Sequence, residues 1–248
     1  TVLLHPHVVD RGVGVSPMHS RALVSGSFDH PRGPPAGIWW GWILLAVLSF
    51  LQALTLSLVP LFSGYLVRVL SGKTPAPEVD DWGRLFVDGW KLNIIMLVYI
   101  IPAVLVFLLF GGLGAVGMLA SAAVGGDAAL IGAALVSILA GILLAGIVAI
   151  ITAFVALFAI LRFARTGRMG EAFNAGAIFS QIGGLGWGAW VIAIVVLLVL
   201  LFIYGIVAGA VGQIPFVGWI IVLFLNAAFA LFAARYLALV YEEAPAQA

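Results

Sequence analysis

The chain has 248 residues, 64% of them hydrophobic and 8% charged, with 11 Lys and Arg against 10 Asp and Glu. A mean hydropathy of +1.24 is that of a multi-pass membrane protein, and the near-neutral charge supplies no basic surface for nucleic acid. With no cysteine, disulfides, thiolate metal ligands, lipidated cysteines and a cysteine nucleophile are excluded together.

Residues 1–37 mix Pro, Gly, Ser and His with Arg11, Arg21 and Arg32. They carry no helical or strand period and read as a flexible N-terminal tail. The tail also lacks a basic start followed by a continuous apolar run, so the first apolar segment reads as a signal anchor rather than the tail as a signal peptide. His5, His7, His19 and His30 all fall here, and His5-x-His7 alone is far from a zinc signature. No metal site and no cofactor is expected.

Charge-free stretches define the remainder. From Ala172 to Ala234 there is no Asp, Glu, Lys or Arg, and between Leu92 and Leu161 the only charge is Asp127. Only a bilayer can serve as solvent for so much apolar chain. The sequence therefore predicts an all-α, polytopic transmembrane helical bundle over residues 38–241, with a short C-terminal tail at 242–248. About five spans are expected: 38–67, interrupted at Pro60; 93–123, containing Pro102; 128–161; 184–211; and 216–236. At 1.5 Å per residue the third would reach about 51 Å, past a hydrocarbon core of about 30 Å, so it must tilt or protrude.

The link between the first two spans holds Arg68, Lys73, Arg84 and Lys91; that between the third and fourth holds Arg162, Arg165 and Arg168; the fifth span ends in Arg235. The other two links hold no cation. Because Lys and Arg stay on the cytoplasmic side, this predicts a multi-pass protein of the cell membrane with its N-terminus outside and its C-terminus cytoplasmic. The three tail arginines run against that assignment.

Both cation-bearing links follow one plan. Tyr65-Leu66-Val67-Arg68, Gly72-Lys73 and Phe86-Val87-Asp88-Gly89 are matched by Ala159-Ile160-Leu161-Arg162, Gly167-Arg168 and Phe173-Asn174-Ala175-Gly176. The pattern reads as a unit of span, surface helix and span used twice, plus a closing span. In the first link, Trp82, Leu85, Phe86, Gly89 and Trp90 share one helical face opposite Asp81, Arg84, Asp88 and Lys91. This predicts an interfacial amphipathic helix with its aromatic side in the membrane. The second link, with Met169, Ala172, Phe173, Gly176 and Ala177 against Arg168, Glu171 and Asn174, is weaker and reads equally as a packed extension of the fourth span.

At Gly64-Tyr-Leu-Val-Arg-Val-Leu-Ser-Gly-Lys, Pro-x-Pro-Glu-x-Asp-Asp-Trp and Leu85-Phe86-Val87-Asp88-Gly89-Trp90-Lys91, the chain resembles a family of archaeal and bacterial multi-pass membrane proteins catalogued only as a domain of unknown function. A looser likeness links this layout to the membrane domain found beside some glycerophosphodiester phosphodiesterases. The resemblance covers about residues 38–241. It implies a location and a helical bundle and carries over no catalytic or ligand residue.

Arg68, Arg162 and Arg235 recur at the inner ends of the odd-numbered spans, where they either anchor the topology or ring a site for anionic head groups. With Lys73, Trp82, Arg84, Phe86, Trp90, Lys91, Arg165 and Arg168 they form the candidate surface for lipid or partner contact. Glu78, Asp80, Asp81 and Asp88 are oxygen ligands of the kind hard cations prefer, but an acid at 80 or 81 stands where a helix cap belongs, and Asp88 can pair with Arg84 or Lys91. Gln52, Thr55, Ser57, Asn93, Ser137, Thr152 and Asn226 are expected to join helices by hydrogen bonds, and Gly184-x-x-x-Gly188 and Gly205-x-x-x-Gly209 to permit close helix approach, within the protein or with a partner. No hydrolase motif, phosphate loop or intramembrane histidine is present, and Asp127 aside the spans carry no carboxylate. The expectation is a non-enzymatic structural or accessory component that contacts membrane lipids, another membrane protein or a second copy of itself. A facilitator of a neutral or lipid-like solute, suggested by the repeat with Pro60 and Pro102, is the alternative. A surface enzyme built on Asp80, Asp81 and Asp88 comes third.

Overall fold

The computed structural model describes residues 35–73 and 78–243, so the predicted tails lie almost entirely outside the described residues. The described chain is all-α. Its helices are α1 (Pro35–Leu54), α2 (Leu61–Leu70), α3 (Trp82–Ala123), α4 (Ala128–Thr166), α5 (Ala175–Leu185), α6 (Trp187–Gly212) and α7 (Gly218–Glu242), with a 3-10 turn at Met169–Phe173 before α5.

Four of these helices, α3, α4, α6 and α7, are long and apolar enough to cross a membrane. The five-span expectation fails at the first segment. Residues 38–67 are not one helix kinked at Pro60: the chain leaves helical geometry after Leu54, with Leu56 and Ser57 at φ 49° and 63°. Pro60 then caps α2, only 10 residues long. Proline cannot donate to the preceding turn, and here that defect falls where the two helices part.

Among the described residues α1 packs only on α2 and α7. Phe50 lies against Trp219, near the start of α7, with ring centroids 6.5 Å apart, and Leu45, Ala46 and Leu48 are buried. The Gln52 side chain bridges both the backbone N–H and the hydroxyl of Ser63 at 2.9 and 2.8 Å, tying the end of α1 to the start of α2.

Glycines set the remaining contacts. A Cβ on Gly64 would collide with the Leu85 carbonyl, and one on Gly89 with that of Pro60, so α2 lies against the first turns of α3, antiparallel to it. Gly111, Gly114 and Gly141 similarly press α3 on α4. The Ser137 hydroxyl donates to the Phe110 carbonyl at 2.6 Å along the same seam. Asp127 caps α4 through the N–H of Ala129 at 2.7 Å, which accounts for the lone acid between two apolar helices. The α6–α7 hairpin is joined by a Tyr204–Asn226 hydrogen bond and by Tyr204 stacked on Phe229.

The core gathers where α2, α4 and α7 end and α3 and α6 begin. Leu85, Ile95, Phe158, Leu161, Phe163, Ile178, Ile182 and Trp190 are all buried to 1% exposure or less. At the far ends the hairpins present bare hydrocarbon, with Leu119, Ile150 and Phe202 each more than 70% exposed, the pattern of surfaces solvated by lipid.

Candidate functional site

The described cations gather at that same end. Arg68, ending α2, reaches forward to Asp80 at 2.5 Å. Asp81, held at φ 47°, caps α3 by accepting from the Arg84 backbone N–H at 3.4 Å, and its carbonyl receives Arg68 at 3.3 Å. Arg162, ending the apolar part of α4, pairs with Glu171 at 2.6 Å, and Arg168 joins the same carboxylate at 2.9 Å. Hydrogen bonding from Arg162, with the charges of Arg162 and Arg168, holds the Glu171 carboxyl below its ordinary range. Arg165 binds Glu242 at 2.8 Å and the Ala238 carbonyl at 2.9 Å, over the Tyr241 ring. Gly72, at φ +78°, lies where any side chain would strike Arg165 and Glu242, so α2, α4 and α7 close together there. Lys91 pairs with Asp88 at 3.0 Å above the Phe163 ring.

Each of the two repeated arginines, Arg68 and Arg162, is thus paired with a carboxylate from the link that follows it. Beyond that local match the two units diverge: the first breaks inside its opening segment at 55–60, the second at Gly186, φ +93°, between α5 and α6.

Three of the predicted contact residues, Lys73, Arg84 and Arg235, make no ion pair or side-chain hydrogen bond among the described residues. Lys73 and Arg84 are exposed and Arg235 is half-buried, directly following the uncharged part of α7. The first link does not form a separate surface helix. Residues 82–91 run unbroken into α3, and their apolar face is divided: Leu85 and Gly89 are buried against α2, while Trp82 and Phe86 stay exposed. The division arises because α2 covers half of that face. In the second link, the Ala172 carbonyl accepts the Tyr99 hydroxyl at 2.7 Å and Phe173 stacks on the Tyr99 ring. That explains a tyrosine placed deeper than an interfacial belt would put it.

Beside the 55–60 turn lies a cavity of about 550 Å³, lined by Leu56, Trp90, Asn93, Leu97, Tyr99 and Thr152 among others. Its polar groups are used internally: Asn93 donates to the Ser57 carbonyl at 2.9 Å and Thr152 to that of Val148 at 2.9 Å. The cavity is apolar in effect. The predicted close-approach glycines Gly188, Gly205 and Gly209 meet nothing within 4 Å, so no described helix packs on them.

Four helices able to span a membrane, the shorter apolar helices α1 and α2 and a cation-rich end define a multi-pass helical membrane protein. The chain belongs to the family described as protein of unknown function (DUF4013), whose model matches residues 47–213, from within α1 to the end of α6. No curated protein and no solved structure matches the chain. No link to the glycerophosphodiester phosphodiesterase membrane domain is shown.

Proposed function

We propose that this protein is a non-enzymatic integral membrane component that holds anionic lipid head groups, or an acidic partner surface, at its cation-bearing end. One observation carries the reading: among the described residues Lys73, Arg84 and Arg235 have no carboxylate partner, whereas Arg68, Arg162, Arg165, Arg168 and Lys91 are each paired with one. The paired group builds the platform, while Lys73 and Arg84 are exposed, Arg84 standing in the chain between exposed Trp82 and Phe86, side chains suited to the head-group region. By the same charge rule this end is cytoplasmic.

The test is lipid retention. Protein purified in mild detergent should carry phosphatidylglycerol or cardiolipin by mass spectrometry, and the triple change Lys73→Gln, Arg84→Gln, Arg235→Gln should strip most of it without unfolding the chain. Unaltered retention in the triple variant would defeat the proposal. A second reading, movement of a lipid-like solute, draws support from the apolar cavity at the 55–60 turn. Solute flux in proteoliposomes that disappears on Leu97→Trp, which fills the cavity, would favour it over the first.

A further inference from the structure

Among the described residues, three buried side-chain polar atoms lack a hydrogen-bond partner, and all three are N–H donors: Arg162 Nε, Arg165 Nε and Trp190 Nε1. They belong to one neighbourhood. Arg162 and Arg165 stand one turn apart on α4. The Arg165 guanidinium is 5.5 Å from the Tyr241 ring centroid, and the Trp190 ring, fully buried, is 6.4 Å from the same ring. Phe158 closes the other side, edge-on to Trp190 at 4.6 Å. Buried donors are almost always satisfied, and three orphans of one polarity around one ring mark a missing acceptor rather than three separate defects.

Arg162, Arg165 and Arg168 share two paired carboxylates, Glu171 and Glu242, because Glu171 serves two of the arginines, so the junction is rich in cationic donors. We propose that the junction of α4, α6 and α7 binds one small monovalent anion of chloride size, accepting from Trp190 Nε1 and from the Nε atoms of Arg162 and Arg165. Enclosure by the rings of Phe158 and Tyr241 favours a single-atom ion over a tetrahedral phosphate, and separates this site from the outward-facing cations offered to head groups.

The experiment uses the full chain in detergent micelles at constant ionic strength, with sodium chloride titrated against sodium gluconate. The expected result is a saturable rise in Tm with chloride, reproduced by bromide. The Trp190→Phe variant keeps the ring but loses the donor, and should show the same helix content with most of the halide-dependent rise gone. A Tm indifferent to the anion, which is what a water molecule filling the site would produce, overturns the proposal, as does an undiminished halide effect in the variant. Should that variant fail to fold, 35Cl NMR on the native protein decides: saturable line broadening reversed by bromide supports the site, and its absence refutes it.

Discussion

Asn93, on the fourth turn of α3, donates its side-chain N–H to the carbonyl of Ser57 in the turn between α1 and α2, 2.9 Å away. A break in a membrane-embedded helix frees carbonyls that only protein can satisfy, so this bond holds the turn shut against α3. Asn93→Leu should lower stability by about 1–2 kcal/mol, the cost of leaving the carbonyl unpaired. Thermal unfolding in detergent measures it, and a variant as stable as the parent would show that the turn does not rely on Asn93.

The crossing of α2 and α3 is a second point of test. Gly64→Ala drives a methyl into the Leu85 carbonyl, whereas Gly146→Ala, on α4, enters open space. The first should cost about 3 kcal/mol as an overpacking change; the second should be neutral or stabilising by about 0.5–1 kcal/mol. Equal Tm values for the two variants would contradict the close approach.

Stability should also fall in acid through Glu171. Because its carboxyl titrates lower in the folded chain than the ordinary 4.5, the folded state binds fewer protons there than the unfolded one. The stabilisation is complete above that ordinary value and is lost as pH falls from it through the folded value. Glu171→Gln should flatten the Tm–pH curve in this window and leave it little changed at pH 7 relative to its own baseline. A parallel curve for parent and variant would rule the contribution out.

The absence of cysteine permits single-cysteine labelling. Lys73→Cys, Gly170→Cys and Glu243→Cys should react from one side of the membrane, and Gly125→Cys and Gln213→Cys from the other. Labelling of Gly125→Cys from the same side as Lys73→Cys would contradict the crossing of α3.

The two hairpins that cross were legible because charge-free length is a local property: the expected segments 93–123, 128–161, 184–211 and 216–236 all fall on the four long helices. The first segment misled, because hydropathy records how apolar a stretch is and not where its helix breaks. The break rests on positive φ at Leu56 and Ser57 and on the Gln52–Ser63 and Asn93–Ser57 bonds, and none of these leaves a mark in composition. Gln52, Asn93, Ser137 and Asn226 do join elements, as expected of uncharged polar groups in spans. Thr55 and Thr152 instead bond back within their own helical turns. At the candidate surface, the sequence identified the cations but could not sort them, since pairing depends on which carboxylate the fold brings alongside. Of the glycines, spacing marks a possible contact face, while the contacts formed within the described chain fall at Gly64, Gly89 and Gly141.

Among the described residues, helix α6 packs mainly on α5 and α7, and its ring contacts with α4, Trp187 on Phe154 and Trp190 on Phe158, lie near its beginning. The α3–α4 and α6–α7 arms are therefore pinned at one extremity and free at the other, in the manner of tweezers. Small rotations at the aromatic pivot become displacements several times larger at the tips, so a thicker or thinner bilayer would change the opening of the arms long before it disturbed the fulcrum.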